Sequence, residues 1–499
     1  MIEIRKAEDT WVRRIVKGQW MVPELFGDKT VYGELSFGGE QCSKLALHYT
    51  HNDSIAGVDV SQVIKLGHIA GSCEYEDENG KTSNVFVDIF NGFVSKISMS
   101  AGFLLSGVPL QSAEIVASEV WCGNGQLGVA DKNDICFDQV SYGIKGLEAW
   151  CGGKFYNAEI KPNNAGAIID YSTFPSRKIF EDSIVSIDLE YWWHGLEISL
   201  GQTEVSIAHN ARVVIRPKDG KSLRYYGDVA SFEYYQNCIS LFFTLLIGDG
   251  AFSFGIRGQF GDWSHSTLFR SQYKSSITKA RKKRYPWSVF RLIKDRMPEI
   301  VASFFESFHN KIRVLYALND YINGFKGIDI NANGELLFDF ESLFDVVFKV
   351  QGNDYVLTSP QLKEKQQVRD ALLKRCCTDT ERRIVKSNIN ITLSFSMKLD
   401  IAVEECLKDF QNSVVQTRKF WDYLKKMLRN ERVSVAHSLQ RDPFDVEQHV
   451  AFNRLIQGGL LWMIMRQSGF TCGEIHQVLC KDFDLSWAFE KINQRIVLE

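Results

Sequence analysis

Apolar positions repeat with two different periods along this chain. From residue 1 to about 223 they alternate with polar or small residues. Val31-Tyr32-Gly33-Glu34-Leu35-Ser36-Phe37, Asn84-Val85-Phe86-Val87-Asp88-Ile89 and Ser183-Ile184-Val185-Ser186-Ile187-Asp188-Leu189 have this form, which marks strands with one face in a core. Asn79-Gly80, Asn124-Gly125, Gly152-Gly153 and Asp219-Gly220 separate the runs as turns. Many short strands with no helical pattern between them predict antiparallel sheets, as a sandwich or a barrel. At Asp228–Gly248 the spacing changes. Val229, Phe232, Tyr235, Ile239, Phe242, Phe243 and Leu246 recur as on a helix, which the pattern places at the close of the first domain.

Beyond Trp287 the helical period persists. Val301, Phe304, Phe305, Phe308, Ile312, Leu315 and Leu318 form one stripe, and Leu343, Val346, Val347 and Val350 another. Val403, Leu407, Phe410 and Val414 follow, then Trp421, Leu424, Leu428, Val435 and Leu439, and last Val450, Phe452, Leu455, Leu460, Met463 and Ile464. Steps of three, four and seven describe amphipathic helices in a bundle. The predicted class is α+β multidomain. An N-terminal antiparallel all-β, sandwich-like domain spans 1–285 and ends in a helix and a basic linker. A C-terminal all-α bundle spans 286–499.

Composition narrows the setting. A chain of 499 residues exceeds what one core supports. At 45% apolar residues it is globular. A net charge of −3 points to no partner in bulk, so a nucleic-acid site must be local. Eleven cysteines without regular spacing, and no charged segment leading into an apolar core at the start, predict free thiols in the cytoplasm. The longest apolar run, Cys238–Gly248, is about half of the ~20 residues a membrane helix needs, so no membrane partner is expected.

The local charge lies between Lys274 and Arg296, where nine basic residues, Lys282, Lys283 and Arg284 at their centre, face the single acid Asp295. Such a stretch grips RNA phosphates or serves as a solvated linker. Gly123-Asn124-Gly125-Gln126-Leu127-Gly128 has the letters of a dinucleotide fingerprint, but the residues after it read as loop and strand, so a hairpin turn is expected. Gly80-Lys81-Thr82 is likewise the tip of a hairpin. Cys472, His476 and Cys480 share one helical face. With Cys376 or Cys377 they make a zinc set on paper, against the commoner reading of cysteines as core residues.

Arg432 and His437 are the candidate catalytic pair, with Arg429 and Asn430 beside them in a helical pattern. Histidine moves a proton from a ribose 2′-hydroxyl, and arginine holds the scissile phosphate and its growing charge. On a straight helix the two positions lie ~140° apart. A kink, or two copies meeting across a two-fold axis, is needed to bring such groups together.

This helical half, with Arg432-x4-His437 late in the bundle, resembles the HEPN superfamily of metal-independent ribonucleases. Gly18-Gln19-Trp20-Met21-Val22-Pro23, Gly33-Glu34-Leu35-Ser36-Phe37 and Gly146-Leu147-Glu148-Ala149-Trp150 resemble the β-rich domain preceding HEPN in ApeA-like antiphage proteins. The resemblance implies an endoribonuclease that leaves a 2′,3′-cyclic phosphate and needs no cofactor. It implies a structured cellular RNA, with tRNA a candidate, and a role in abortive infection. It also implies a homo-oligomer formed through the HEPN half, and an N-terminal domain that senses a phage product or small ligand or restrains the nuclease. The sequence departs from the family at Val433, where a polar residue usually follows the arginine. Arg429-Asn430 has the polar neighbour but stands eight residues from the histidine. A non-catalytic HEPN module that binds nucleotide or RNA, or only dimerises, is the alternative.

Overall fold

The computed structural model describes residues 9, 12–39, 41–50, 65–77, 80–103, 109–151, 156–160, 167–171, 176–193, 209–227, 230–247, 253–270, 286–308, 360–389, 394–401, 418–437, 446–479 and 483–498. The chain divides into two compact units, Met1–Arg281 and Lys282–Glu499. The expected apolar stripes at Leu343–Val350 and Val403–Val414, and the basic residues Lys274–Arg284, lie outside the described residues.

The first unit is antiparallel throughout its described ladders. It contains β1 (Arg14–Met21), α1 (Pro23–Phe26), β2 (Thr30–Phe37), β3 (Ser43–Thr50), β4 (Lys65–Glu76), β5 (Thr82–Phe103), β6 (Pro109–Ala117), β7 (Glu119–Gly123), β8 (Cys136–Phe137), β9 (Gln139–Ile144), α2 (Leu147–Cys151), β10 (Tyr156–Ile160), β11 (Ala167–Tyr171), β12 (Arg177–Glu181), β13 (Val185–Trp193), β14 (His209–Pro217), β15 (Leu223–Arg224), α3 (Phe232–Ile247), β16 (Ser253–Phe260) and β17 (Ser264–Arg270). Thirteen of the strands form one sheet in the order β12-β13-β14-β9-β16-β17-β7-β5-β4-β1-β2-β3-β6. Because β6 also returns to β5, the last six strands close into a barrel.

Strand β5 belongs to both parts. One edge pairs with β4 from Thr82 to Phe93. The other edge first holds β7, at Phe86–Ile89, and then β6, from Phe93 onward. Between these two partners Asn91 takes a left-handed φ of 56°, a conformation asparagine tolerates better than most residues. The register then shifts between Val94 and Lys96. A bulge of this kind bends a strand, and here it turns β5 from the open sheet into the barrel wall.

The barrel closes around Trp20. Its indole is fully buried, and Nε1 donates to the Gly33 carbonyl at 3.2 Å. Gly71 faces it from β4, where a Cβ would stand 2.6 Å from the ring. Glycine is therefore required at 71 if the indole is to fill this space. Val16, Leu35, Phe37, Leu45, Leu47, Ile69, Val87 and Ile115 belong to the same buried cluster. The alternation read from β2 and from residues 84–89 of β5 thus marks the barrel interior.

The open sheet is covered by α3, which packs on β9 and β14. Trp150 on α2 meets Phe243 of α3 edge-on, with ring centroids 5.4 Å apart. Arg270 of β17 lies between Glu119 of β7 at 2.7 Å and Glu233 of α3 at 2.9 Å. This partly buried pair of contacts ties helix to sheet.

Two expectations change here. The helix near 228–248 exists, but it does not close the domain, because β16 and β17 follow it and enter the middle of the sheet. Their buried residues run consecutively, Phe254-Gly255-Ile256 and His265–Phe269, since both faces are covered. A strand of that kind carries no period of two. Residues 123–128 are not a hairpin turn. They begin a long connection from β7 to β8, bound to the β16–β17 turn through Asn124, whose side chain donates to the Trp263 carbonyl at 3.0 Å and accepts from His265 N at 2.8 Å. The 77–81 segment is the expected hairpin tip, with Gly80 N donating to the Asp77 carbonyl.

The second unit is helical in all its described elements: α4 (Pro286–Ile293), α5 (Met297–Phe308), α6 (Pro360–Arg375), α7 (Asp379–Asn388), α8 (described over 395–401), α9 (Arg418–His437), α10 (Val446–Gln467), α11 (Cys472–Leu479) and α12 (Phe483–Leu498). Helix α10 is its centre and packs on α5, α11 and α12. It is buried without interruption from Leu460 to Met465, as a helix surrounded by others must be. Gly458 lets α12 approach, since a Cβ there would lie 2.6 Å from Leu485. Arg296 joins the segment before α5 to α11, with Nη1 2.9 Å from both carboxylate oxygens of Glu474 and Nη2 donating to the Gly469 carbonyl at 2.8 Å.

Trp20→Ala is expected to cost about 3–5 kcal/mol, and Gly71→Val to destabilise the same barrel. Trp263→Ala, at a position 87% exposed, should stay within about 0.5 kcal/mol. Urea unfolding followed by near-ultraviolet circular dichroism checks all three, and an unchanged midpoint for Trp20→Ala contradicts the packing described.

Candidate functional site

Helix α9 carries the candidate pair. Phe420, Leu424, Met427 and Leu428 are buried, while Lys419, Asp422, Lys426 and Asn430 are exposed. The buried set lies at helical spacing and faces α12, where Phe420 meets Phe489 at 5.3 Å between ring centroids. Lys425 sits among these apolar residues, only 8% exposed. Its Nζ donates to Asp400 of α8 at 2.8 Å and lies 3.3 Å from Asp422. Arg429, one turn later, reaches the same Asp400 carboxylate at 3.3 and 3.4 Å. A buried ammonium needs such a partner, so Asp400 holds α9 against α8.

Arg429 is therefore engaged in this ion pair, and Asn430 stands exposed beside it. Arg432 and His437 lie in the last two turns of α9, His437 as its final residue. Their side chains are outside the described residues. The helix is continuous from Arg418 to His437, so the two positions share one run of helical backbone. They are separated by ~140° around the axis and ~7.5 Å along it.

The other sequence candidates are placed as follows. Lys282, Lys283 and Arg284 lie outside the described residues, as does Cys480. Cys376 and Cys377 occupy the turn between α6 and α7, where their thiols face the Leu372 and Arg375 carbonyls. Cys472 is exposed at the start of α11, 3.0 Å from Arg466 Nη1. His476 follows one turn later, half-buried. Among the described residues no three of His, Cys, Asp and Glu gather as a metal site. Among them, too, no helix is long and apolar enough to cross a membrane.

In the first unit an open groove of about 610 Å³ lies at the barrel rim, lined by Arg13, Lys17, Glu34, Glu74 and Asp77 among others. Its cations are already engaged, Lys17 with Glu34 at 3.2 Å and Arg13 with the Ser36 hydroxyl. Deeper in, Asp88 is fully buried. It accepts from His68 Nε2 at 2.8 Å and from Leu127 N at 3.1 Å, which fastens the 124–128 loop to the barrel wall.

A family model described as ApeA N-terminal domain 1 matches residues 16–310, more than half of the chain. The chain belongs to that family. The matched span takes in the barrel, the open sheet, α3 and the first two helices of the second unit. No curated protein and no solved structure matches. Trp20, Gly33 and Trp150, which carry the ApeA resemblance in the sequence, are packing residues of the first unit.

Sequence reading missed Asp400 and Lys425. The available signal was a lysine next to Leu424 within an apolar stripe. Nothing in the spacing from 400 to 425 announces the partner.

Burial raises the Cys73, Cys151 and Cys238 thiols to about 12 and pushes Cys122 up further. Such groups stay protonated and unreactive. Iodoacetamide at mildly alkaline pH should modify exposed Cys42, Cys377 and Cys472 in the native protein, and these four only after unfolding. Peptide mass spectrometry checks the order, and native labelling of Cys122 ahead of Cys377 contradicts it.

Proposed function

We propose that this protein is a metal-independent endoribonuclease of the HEPN type that acts in abortive-infection defence against phage. The reading is supported by the family membership together with the placement of Arg432 and His437 in the final turns of one helix that follows the span matched as an ApeA N-terminal domain. The substrate is cellular RNA, with tRNA the first to test. The N-terminal unit senses a phage-derived or small-molecule trigger, or restrains the nuclease until one appears.

The chemistry follows from the two groups. His437 takes the proton of a ribose 2′-hydroxyl as its oxygen attacks the adjacent phosphorus. Arg432 binds the non-bridging oxygens and stabilises the charge that builds on them. A second imidazole returns a proton to the departing 5′-oxygen. The products are a 2′,3′-cyclic phosphate and a 5′-hydroxyl. Two positions ~140° apart on an unbroken helix do not converge on one phosphate. The site is therefore completed by a second copy across a two-fold axis. Arg429 and Asn430 support it, Arg429 by setting the seat of α9 through Asp400.

A second reading has its own feature. Val433 directly follows Arg432, where HEPN ribonucleases carry a polar residue, and this favours a HEPN module that binds RNA or nucleotide, or dimerises, without cutting.

Incubating the purified protein with total tRNA in excess EDTA separates the two. The nuclease reading predicts fragments ending in 2′,3′-cyclic phosphate, lost by at least about 10²-fold in Arg432→Ala and His437→Ala. If the protein is silent in isolation, the same variants should abolish the toxicity of overexpression. Cleavage or toxicity that persists in both variants contradicts the assignment.

A further inference from the structure

Helices α6 and α7 form a hairpin that the candidate nuclease site does not use. Of residues 362–389 only Leu362 is buried. The hairpin is nonetheless well formed locally. Thr378 caps α7 in a capping box, its hydroxyl accepting from Glu381 N at 3.2 Å while the Glu381 carboxylate accepts from Cys377 N at 2.8 Å and Thr378 N at 3.0 Å. Such a box satisfies helix-end donors without help from a core.

The surface this presents is strongly cationic. Residues 360–389 hold eight lysines and arginines against four acids, a net +4 in a chain whose total is −3. Arg382 lies 3.7 Å from Asp379. Lys363, Lys365, Lys374, Arg375, Arg383 and Lys386 are all exposed and form no ion pair with a described residue. On α6 Lys363 and Lys374 lie within ~20° of each other around the axis, Lys365 lies nearly opposite and Arg375 between them, and α7 adds Arg383 and Lys386.

We propose that the α6–α7 hairpin is a docking arm for RNA, gripping its phosphate backbone independently of sequence. Helix α6, with 16 residues, is ~24 Å long, enough to follow several successive phosphates. Cations held open on a preformed element release counterions when a polyanion arrives, and this is the main source of such affinity. The hairpin also exposes Val368, Leu372 and Ile384, which is the feature a protein contact would use. Charge decides between the two partners. Pairing one arm with its copy would bring two +4 surfaces together, which Coulomb repulsion opposes, whereas a polyanion neutralises both helices. That the polyanion is RNA rests on the proposed nuclease reading; the arm's affinity for phosphate does not.

The test is fluorescence anisotropy of labelled tRNA with full-length His437→Ala protein, which blocks cutting, over a series of salt concentrations. It is repeated with Lys363→Gln, Lys374→Gln, Arg383→Gln and Lys386→Gln added, and circular dichroism confirms that helix content is kept. The slope of log affinity against log salt should fall by about 1 for each cation removed, so by about four, and affinity at low salt on the order of 10²-fold or more. A variant with Lys and Arg exchanged at the same positions should keep the slope. Unchanged binding in the glutamine variant overturns the proposal. So does a change in particle mass by light scattering with RNA affinity intact, which would make the arm a contact between copies. If tRNA binds through the arm but the wild type never cleaves, the nuclease reading fails and the arm stands.

Discussion

An α-helix turns 100° per residue, and that constraint decides which side chains of α9 share a face. Helix α9 runs unbroken from Arg418 to His437, so positions 432 and 437 lie ~140° apart around an ideal helix axis. A guanidinium and an imidazole so arranged on one chain do not enclose a phosphate. The proposed reaction therefore depends on assembly. Regulation becomes simple in that case, because anything that sets how two copies of α9 meet sets the activity.

The position of α9 within its own unit is fixed more firmly than surface charge pairs usually allow. Asp400 receives both Lys425 and Arg429, and Lys425 is buried among Leu424, Met427 and Leu428. Losing Asp400 would leave the buried ammonium of Lys425 with Asp422 alone, at 3.3 Å on its own helix, and would remove its tie to α8. In the first unit β5 has the corresponding role. It is the strand shared by the barrel and the open sheet, and the buried Asp88 on it fastens the 124–128 loop. The family match over residues 16–310 thus covers the barrel, the sheet and the first helices of the second unit of this chain.

Much of this was legible in the sequence where one face of an element is buried and the other wet. β2, β13 and α3 follow their predicted periods. The reading failed where that condition fails. β16 and β17 are covered on both faces and show no alternation. Barrel closure was not legible either, because it depends on a left-handed Asn91 and a register shift within β5. Of the candidate site, spacing identified Arg432 and His437 as positions on one helix. The Asp400 network joins residues 25 and 29 apart in sequence, a separation without local signature. The α6–α7 hairpin has no signature in the sequence either, because a charged helix without an apolar stripe resembles a linker.

The most direct test of the central claim is the activity of mixed particles. Differently tagged wild-type and His437→Ala chains are co-expressed, particles containing one of each are isolated, and RNA cleavage in EDTA is compared with that of wild-type particles. A site built by two copies predicts activity far below half of the wild-type value. Activity at half, as if each chain cut on its own, would contradict the claim.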